Sequence, residues 1–101
     1  KENVTANGIG QIVEVREGTL PQDNWVGLGK MDLAVANIAV RPILQLVTSI
    51  LACLKTGGVA VVGGILDGQA QEVEAAFEKL SASLQQKVVV EDWVTLVFHK
   101  A

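Results

Sequence analysis

The chain has 101 residues, a formal net charge of −3 and a pI near 5.0. This length holds one small domain at most, and the scattered charges form no basic stripe of the kind that binds nucleic acid. No apolar run reaches the roughly 18 residues of a membrane span. One cysteine and one histidine cannot build a metal site. We therefore expect a cytoplasmic domain that uses no metal and contacts neither membrane nor nucleic acid.

Half of the residues are hydrophobic, and the mean hydropathy of +0.38 is high for so short a chain. Either the strands are covered on both faces, as parallel strands are, or part of the apolar surface meets sequence outside these 101 residues. The first residue is Lys1 and not methionine, which favours a fragment or a processed product.

The N-terminal third contains one clear strand. Lys1 to Asn7 is predicted to be the end of a helix, closed by Gly8 in a left-handed conformation. Ile12 to Glu17 alternates in polarity and is rich in β-branched residues, so it is predicted to be a strand. Gly18 to Pro21 ends this strand, and a loop is expected from Pro21 to Lys30.

The middle of the chain predicts a strand, a helix and a strand. Met31 to Asn37 is apolar on both faces, and Pro42 suits the first turn of the helix that follows. Apolar residues recur at helical spacing up to Leu54, and Gly57-Gly58 is expected to stop the helix. Val59 to Val62 is predicted to be a buried strand.

The C-terminal part predicts a second helix and a hairpin. Gly63 to Leu66 is expected to lead to Asp67 as an N-cap, with Leu80 on the inner face of the helix. Gln85 to Val90 and Trp93 to His99 are predicted strands joined by two residues. So short a link forces antiparallel pairing, and Trp93 is expected in the core of the hairpin. The pattern is that of an α/β protein with a mostly parallel sheet and a C-terminal antiparallel hairpin.

Asn37 is the candidate functional residue, because it lies where a parallel strand should end. Ligands of open parallel sheets collect at the carboxyl ends of the strands, and a carboxamide can donate and accept hydrogen bonds at once. The alternative is an asparagine that only caps the turn after the strand. Gly18 and Thr19 follow the preceding strand in the same way, with an ordinary turn as their alternative.

Three segments resemble the ribosomal protein L-eleven methyltransferase family of class I S-adenosylmethionine-dependent methyltransferases. They are D-L-A-V-A-N-I at Asp32 to Ile38, L-K-T-G-G-V-A-V-V-G-G-I-L-D-G-Q at Leu54 to Gln69, and E-D-W-V-T-L-V-F-H-K at Glu91 to Lys100. The resemblance implies a partial Rossmann-like methyltransferase sheet without its first two strands. Residues 1–101 would then be the C-terminal part of a catalytic domain.

The resemblance also implies a function for the intact protein. This is methyl transfer from S-adenosylmethionine to amino groups of a large-subunit ribosomal protein, with Asn37 aligning the acceptor amine. The implied cofactor-binding residues are Asn37, Ile38, Gly18 and Thr19, and the implied substrate-binding residues are Ile65 and Leu66. Two other functions stay open: a methyltransferase of this fold with another substrate, and a non-catalytic α/β assembly module.

The family's glycine-rich loop and acidic ribose-binding residue would lie upstream of Lys1, so the isolated chain is expected to bind the cofactor poorly and to be inactive. The strand from Met31 to Asn37 would also lose its usual neighbour. Two repairs of this exposed edge are expected: the strand from Ile12 to Glu17 moves beside it, or two chains self-associate through the edge. The high apolar content favours self-association.

Overall fold

The computed structural model describes residues 3–6, 11–16 and 29–101, the first of these ranges by its backbone alone. In chain order the elements are β1 (Asn3–Ala6), β2 (Gln11–Val15), β3 (Met31–Asn37), α1 (Val40–Cys53), β4 (Leu54–Leu66), a 3₁₀ turn (Asp67–Gln69), α2 (Ala70–Glu78), β5 (Ala82–Val90) and β6 (Trp93–Lys100). The strands form one six-stranded sheet in the order β1-β2-β3-β4-β6-β5.

The centre of this sheet is parallel and its two ends are antiparallel. β2 pairs with β3, and β3 with β4, in parallel. β6 runs antiparallel to both β4 and β5. The predicted α/β class, the partial Rossmann-like sheet and the closing hairpin are confirmed, and an added antiparallel β1 makes the sheet more mixed than expected.

β2 lies directly beside β3, which is the first of the two expected repairs. Val13 is opposite Ala34, so β3 is paired along both edges. At the start of these strands, the Asp32 carboxylate accepts a hydrogen bond of 2.8 Å from the backbone N–H of Gln11. It also forms an ion pair with Lys55. One side chain thus joins the beginnings of three neighbouring strands.

The predicted N-terminal helix is wrong in the part that the structure describes. Asn3–Ala6 is β1, which pairs antiparallel with β2. Val4 and Thr5 are β-branched and favour a strand, and a helix this short is marginal without tertiary support. Pairing with β1 also gives hydrogen-bond partners to the backbone groups along the outer edge of β2. The expected role of Gly8 lies outside the described residues.

The boundary between α1 and β4 is earlier than predicted. α1 ends at Cys53, and β4 begins at Leu54 and includes Gly57-Gly58, which were expected to stop the helix. The Lys100 ammonium donates a hydrogen bond of 2.6 Å to the Leu54 carbonyl. This contact gives the end of the helix a partner from the last strand, which a local sequence pattern cannot reveal. The predicted strand Val59 to Val62 is the central part of β4.

β4 also runs further than predicted, through Leu66. Gly63 and Gly64 therefore lie inside a strand and not in a turn. Asp67 does not cap a helix: it opens the 3₁₀ turn, and no side-chain hydrogen bond caps either that turn or α2. The expected inward position of Leu80 is wrong as well, because this side chain is 47% exposed just beyond α2.

Both helices pack on one face of the sheet. Alternate strand residues such as Ala34, Val62 and Phe98 are buried there, and the rings of Phe77 and Phe98 stack with centroids 4.2 Å apart. Burying these residues accounts for the predicted apolar stripe of α1, and neither described helix is long and apolar enough to cross a membrane.

On the opposite face, no helix of the described ranges covers the sheet, and Val35, Val61 and Val97 stay partly exposed. Trp93, expected in the hairpin core, is 54% exposed at the start of β6. The hairpin core is formed instead by Val94, Leu96 and Phe98, which alternate with it on the helix side of β6.

Candidate functional site

The candidate site lies at the carboxyl ends of β2, β3 and β4. Asn37 is the last residue of β3 and its side chain is exposed. Ile38 and an extended Ala39 (φ −66°, ψ 160°) then lead the chain into α1. The Ala39 carbonyl accepts a hydrogen bond of 3.2 Å from the Ile43 N–H. No side chain forms a capping hydrogen bond at the start of the helix. Asn37 is therefore not used as a cap for α1.

Two glycines of β4 make room for the Asn37 carboxamide. Gly63 is the register partner of Asn37, and a Cβ at Gly63 would lie 3.3 Å from Asn37 Oδ1. At Gly64, where φ is +75°, a Cβ would lie only 2.8 Å from the same oxygen. The register between β4 and β6 shifts between Val62 and Ile65, so a β-bulge places both glycines beside the amide. Sequence analysis expected this pair to lead from the end of the strand towards Asp67 and missed its contact with Asn37.

Two cavities meet at this point. The strand-end cavity, of about 540 Å³, is lined by Glu14, Val15, Arg16, Val35, Asn37, Ile38, Ala39 and Gly64. The helix-side cavity, of about 780 Å³, is lined by Ala39, Val40, Arg41, Leu44, Gln45, Gly64, Leu66, Gln69, Glu72 and Trp93. Ala39 and Gly64 line both, so the two cavities are separated by small residues next to the Asn37 carboxamide.

The two cavities differ in their charges. In the strand-end cavity Arg16 forms an ion pair of 3.0 Å with Glu14. In the helix-side cavity, neither Arg41 nor Glu72 has an ion pair with another residue of the described ranges. The pKa of Asp32 is lowered, first by its hydrogen bond from Lys55 and then by that from the Gln11 amide, but this residue lies near the opposite end of β3. The candidate site itself thus offers one free carboxylate and one free guanidinium.

The structure brings together some of the predicted site residues. Asn37 and Ile38 both line the strand-end cavity, and Leu66 lines the helix-side cavity. Ile65 is completely buried and lines neither cavity, so the structure gives no support to a substrate contact by its side chain. Gly18 and Thr19 lie outside the described residues. In the described ranges, no cluster of His, Cys, Asp and Glu could hold a metal ion.

The strand-end cavity fits part of what S-adenosylmethionine needs. It opens at the carboxyl ends of parallel strands, where nucleotide-type ligands bind in α/β sheets, and about 540 Å³ is within the usual range for small-molecule sites. Apolar surface is available from Val35 and Ile38, and polar contacts from Asn37 and Glu14. These residues would hold the side of the cofactor that faces β3.

A parallel sheet closed by an antiparallel hairpin, with a polar residue at a central strand end, is the arrangement of a Rossmann-like methyltransferase. Solved structures agree. A ribosomal protein L11 methylase from Lactobacillus delbrueckii subsp. bulgaricus superposes with a TM-score of 0.67 and 30% identity over 72% of this chain and 38% of that one. A TehB-like SAM-dependent methyltransferase from Corynebacterium glutamicum, at 20% identity, shares the fold with a TM-score of 0.64, covering 83% of this chain and 54% of its own.

The family is also clear from sequence comparison. The family model described as Ribosomal protein L11 methyltransferase (PrmA) matches residues 1–101, and the chain belongs to this family. A ribosomal protein L11 methyltransferase of Rhodopseudomonas palustris is 34% identical over 99% of the chain and 34% of its own length. One from Listeria monocytogenes is 31% identical over 96% of the chain and 30% of its own length. The chain thus spans about a third of the length of these curated relatives.

Proposed function

We propose that this chain is the C-terminal part of a methyltransferase catalytic domain that, in the full-length enzyme, methylates amino groups of ribosomal protein L11 in the cytoplasm. The family match supports this substrate, because the curated relatives carry that name. The observation that carries the proposal is the position of Asn37. Its carboxamide lies at the strand-end cavity, next to Gly64, which also lines the helix-side cavity.

Methyl transfer to an amine needs positioning more than it needs acid or base chemistry. S-adenosylmethionine, when bound, supplies an electrophilic methyl group on a sulfonium. The Asn37 oxygen can accept a hydrogen bond from a neutral acceptor amine, which leaves the nitrogen lone pair free to point towards the strand-end cavity. Because the carboxamide carries no charge, it stabilises the protonated amine, which has no lone pair to donate, less than a carboxylate at this position would. Gly63 and Gly64 keep the space around this amide free.

The test uses a full-length enzyme, made by grafting residues 1–101 in place of the matching third of the Rhodopseudomonas relative. We expect Asn37→Ala to lower the rate of L11 methylation by about a hundredfold, the size of effect that loss of an aligning contact can have. Its melting temperature should change little, because Asn37 is exposed. Gln86→Ala, an exposed amide on β5, is the matched control and should keep the full rate.

A second substitution tests the chemical reason. Asn37→Asp keeps the shape but adds a charge that pairs with a protonated amine and raises the pKa of the acceptor. We expect its rate to fall and its pH–rate profile to shift to higher pH. A grafted Asn37→Ala enzyme that methylates L11 at full speed would refute the proposed role. A graft that methylates another acceptor and not L11 would leave the fold assignment unchanged and would rule out L11 as the substrate.

A further inference from the structure

β5 forms an outer edge of the sheet, and the end of this strand exposes three apolar side chains. Among the strands of the described ranges it pairs with β6 alone. Val88, Val89 and Val90 are 39%, 49% and 63% exposed. An edge strand of this kind presents unpaired backbone N–H and C=O groups to any strand that can lie beside it. The edge is distinct from that of β3, which β2 covers.

The usual protection of an edge strand is weak at this place. Lysines often protect such edges from pairing, and Lys87 comes directly before the three valines. Its ammonium, however, lies 3.2 Å from the Glu74 carboxylate of α2, so the side chain is directed towards the helix face of the sheet. The register of β5 shifts between Leu84 and Gln86 and is regular from there to the end of the strand. The last five residues of β5 therefore form a straight and open edge.

The hairpin determines which backbone groups point outwards from this edge. Val90 and Trp93 flank the two-residue turn and are register partners, so they exchange backbone hydrogen bonds with each other. Hydrogen-bonded pairs alternate with non-bonded pairs along an antiparallel ladder, and Val88 therefore also bonds to β6. The N–H and C=O groups of Lys87 and Val89 point away from the sheet. A strand that adds to β5 has to bond to these two residues.

We propose that two copies of this chain pair through β5, antiparallel about a two-fold axis, with Val89 of one copy opposite Val89 of the other. Val88 then faces Val90 of the second copy. Lys87 faces Glu91, the residue that follows the strand, so each end of the interface has a pair of opposite charges. This inference goes beyond the proposed function and does not depend on it.

Charge distinguishes this register from its two neighbours. A two-fold contact must be complementary to itself, and the outward groups of Lys87 and Val89 must bond to each other or to their own copies. Pairing about Lys87 would place two lysines opposite each other, which is destabilising. Pairing about Val88 would place Lys87 opposite an apolar Val89. Of these three registers, the one about Val89 brings three valine contacts together with attraction at both ends.

The first test measures association of the 101-residue chain by sedimentation equilibrium. A contact through one strand edge is smaller than the roughly 1,200 Å² of standard interfaces, so we expect a weak dimer with a dissociation constant of roughly 0.1 mM. Hydrogen exchange of the Val89 amide should slow as the concentration rises. The Val88 amide, which bonds to β6, should exchange at the same slow rate throughout. A chain that remains monomeric at about ten times this concentration would overturn the inference.

The second test uses two charge reversals to check the register. Lys87→Glu and Glu91→Lys each place like charges opposite each other twice in the dimer, so each variant alone should dimerise about tenfold more weakly. An equimolar mixture of the two should dimerise as well as the unchanged chain, because opposite charges then meet at both ends. Glu78→Lys, an equal change of net charge at the end of α2, is the control and should leave dimerisation unchanged.

Thermal melts show that each variant is folded before its association is measured. A mixture that dimerises no better than its two components would overturn the proposed register, as would a Val89 amide whose exchange rate does not depend on concentration. Equal weakening by Glu91→Lys and Glu78→Lys would mean that net charge, and not contact between Lys87 and Glu91, controls the association. That result would also overturn the inference.

Discussion

Gly64→Ala tests whether the glycine pair of β4 sets the position of the Asn37 carboxamide. An alanine at φ +75° adopts a left-handed conformation, which costs about 1–2 kcal/mol. For a chain of about this length, each kcal/mol lowers the melting temperature by roughly 4–8 °C. The new methyl carbon would also lie 2.8 Å from Asn37 Oδ1. Since that oxygen ends a flexible side chain, we expect the carboxamide to move and the main loss of stability to come from the backbone.

Gly29→Ala is the matched control, because it separates these two effects. Gly29 has a φ of +73°, and a Cβ there meets nothing within 4 Å. Its substitution should therefore carry the same left-handed backbone cost without touching Asn37. At Gly64 the new methyl group would also lie 3.3 Å from the Ile38 carbonyl oxygen, which adds to the cost there. Gly68→Ala, with no positive φ and open space around the new methyl group, should be neutral or slightly stabilising.

The assays are thermal melts of the three variants and NMR spectra of the Asn37 side-chain amide. We expect both Gly64→Ala and Gly29→Ala to melt at lowered temperatures, Gly64→Ala at the lower of the two, with a shift of the Asn37 amide signals only in Gly64→Ala. In the grafted enzyme only Gly64→Ala should lose methylation. If the Asn37 signals are the same in both variants, the glycine pair does not position the amide and the reasoning fails.

Three further predictions concern the sheet and the cofactor. Asp32→Asn should lower the urea midpoint at pH 7. The pKa of Asp32 is below its usual 3.8 in the folded state, chiefly because of Lys55, so its stabilisation is present above about pH 4 and disappears as the pH falls through the lower folded-state pKa. The two proteins should converge in acid, and a constant difference would contradict this assignment. Calorimetric titration of the isolated chain with S-adenosylmethionine should show no micromolar binding. Clear binding would mean that these 101 residues bind the cofactor without any other part of the enzyme. The amides of β3 should exchange slowly at a rate independent of protein concentration, because β2 pairs with them within the chain; exchange that slows with concentration would indicate pairing between chains.

The elements that the sequence predicts well are those with a strong local pattern. The continuous apolar run of β3, the helical spacing in α1 and the two-residue link of the hairpin each determine one structure with little help from distant residues. The same local pattern puts Asn37 at the end of β3, and the structure places it at a cavity. Each of these features is encoded within one short stretch of the chain, so the local sequence is enough to predict it.

The features that were missed depend on partners far away in the chain. β1 forms a strand because β2 offers an edge, and α1 ends early because Leu54 pairs with Met31 and its carbonyl bonds to Lys100. The role of Gly63-Gly64 depends on Asn37, which is the last residue of the neighbouring strand β3. A glycine pair next to a predicted strand signals either a turn or a close approach, and only the register of β3 against β4 decides between them.

The bond from Lys100 to the Leu54 carbonyl implies a stepwise response to trimming by a carboxypeptidase. Ala101 is exposed, and its removal should leave the melting temperature unchanged. Removal of Lys100 as well would take away the hydrogen bond that this ammonium donates at 2.6 Å where α1 passes into β4. Leu54 itself is completely buried, and a hydrogen bond from a charged group contributes about 1.5–3 kcal/mol. Melts of chains ending at residues 100 and 99 should therefore differ, and equal melts would mean that water replaces the ammonium without loss.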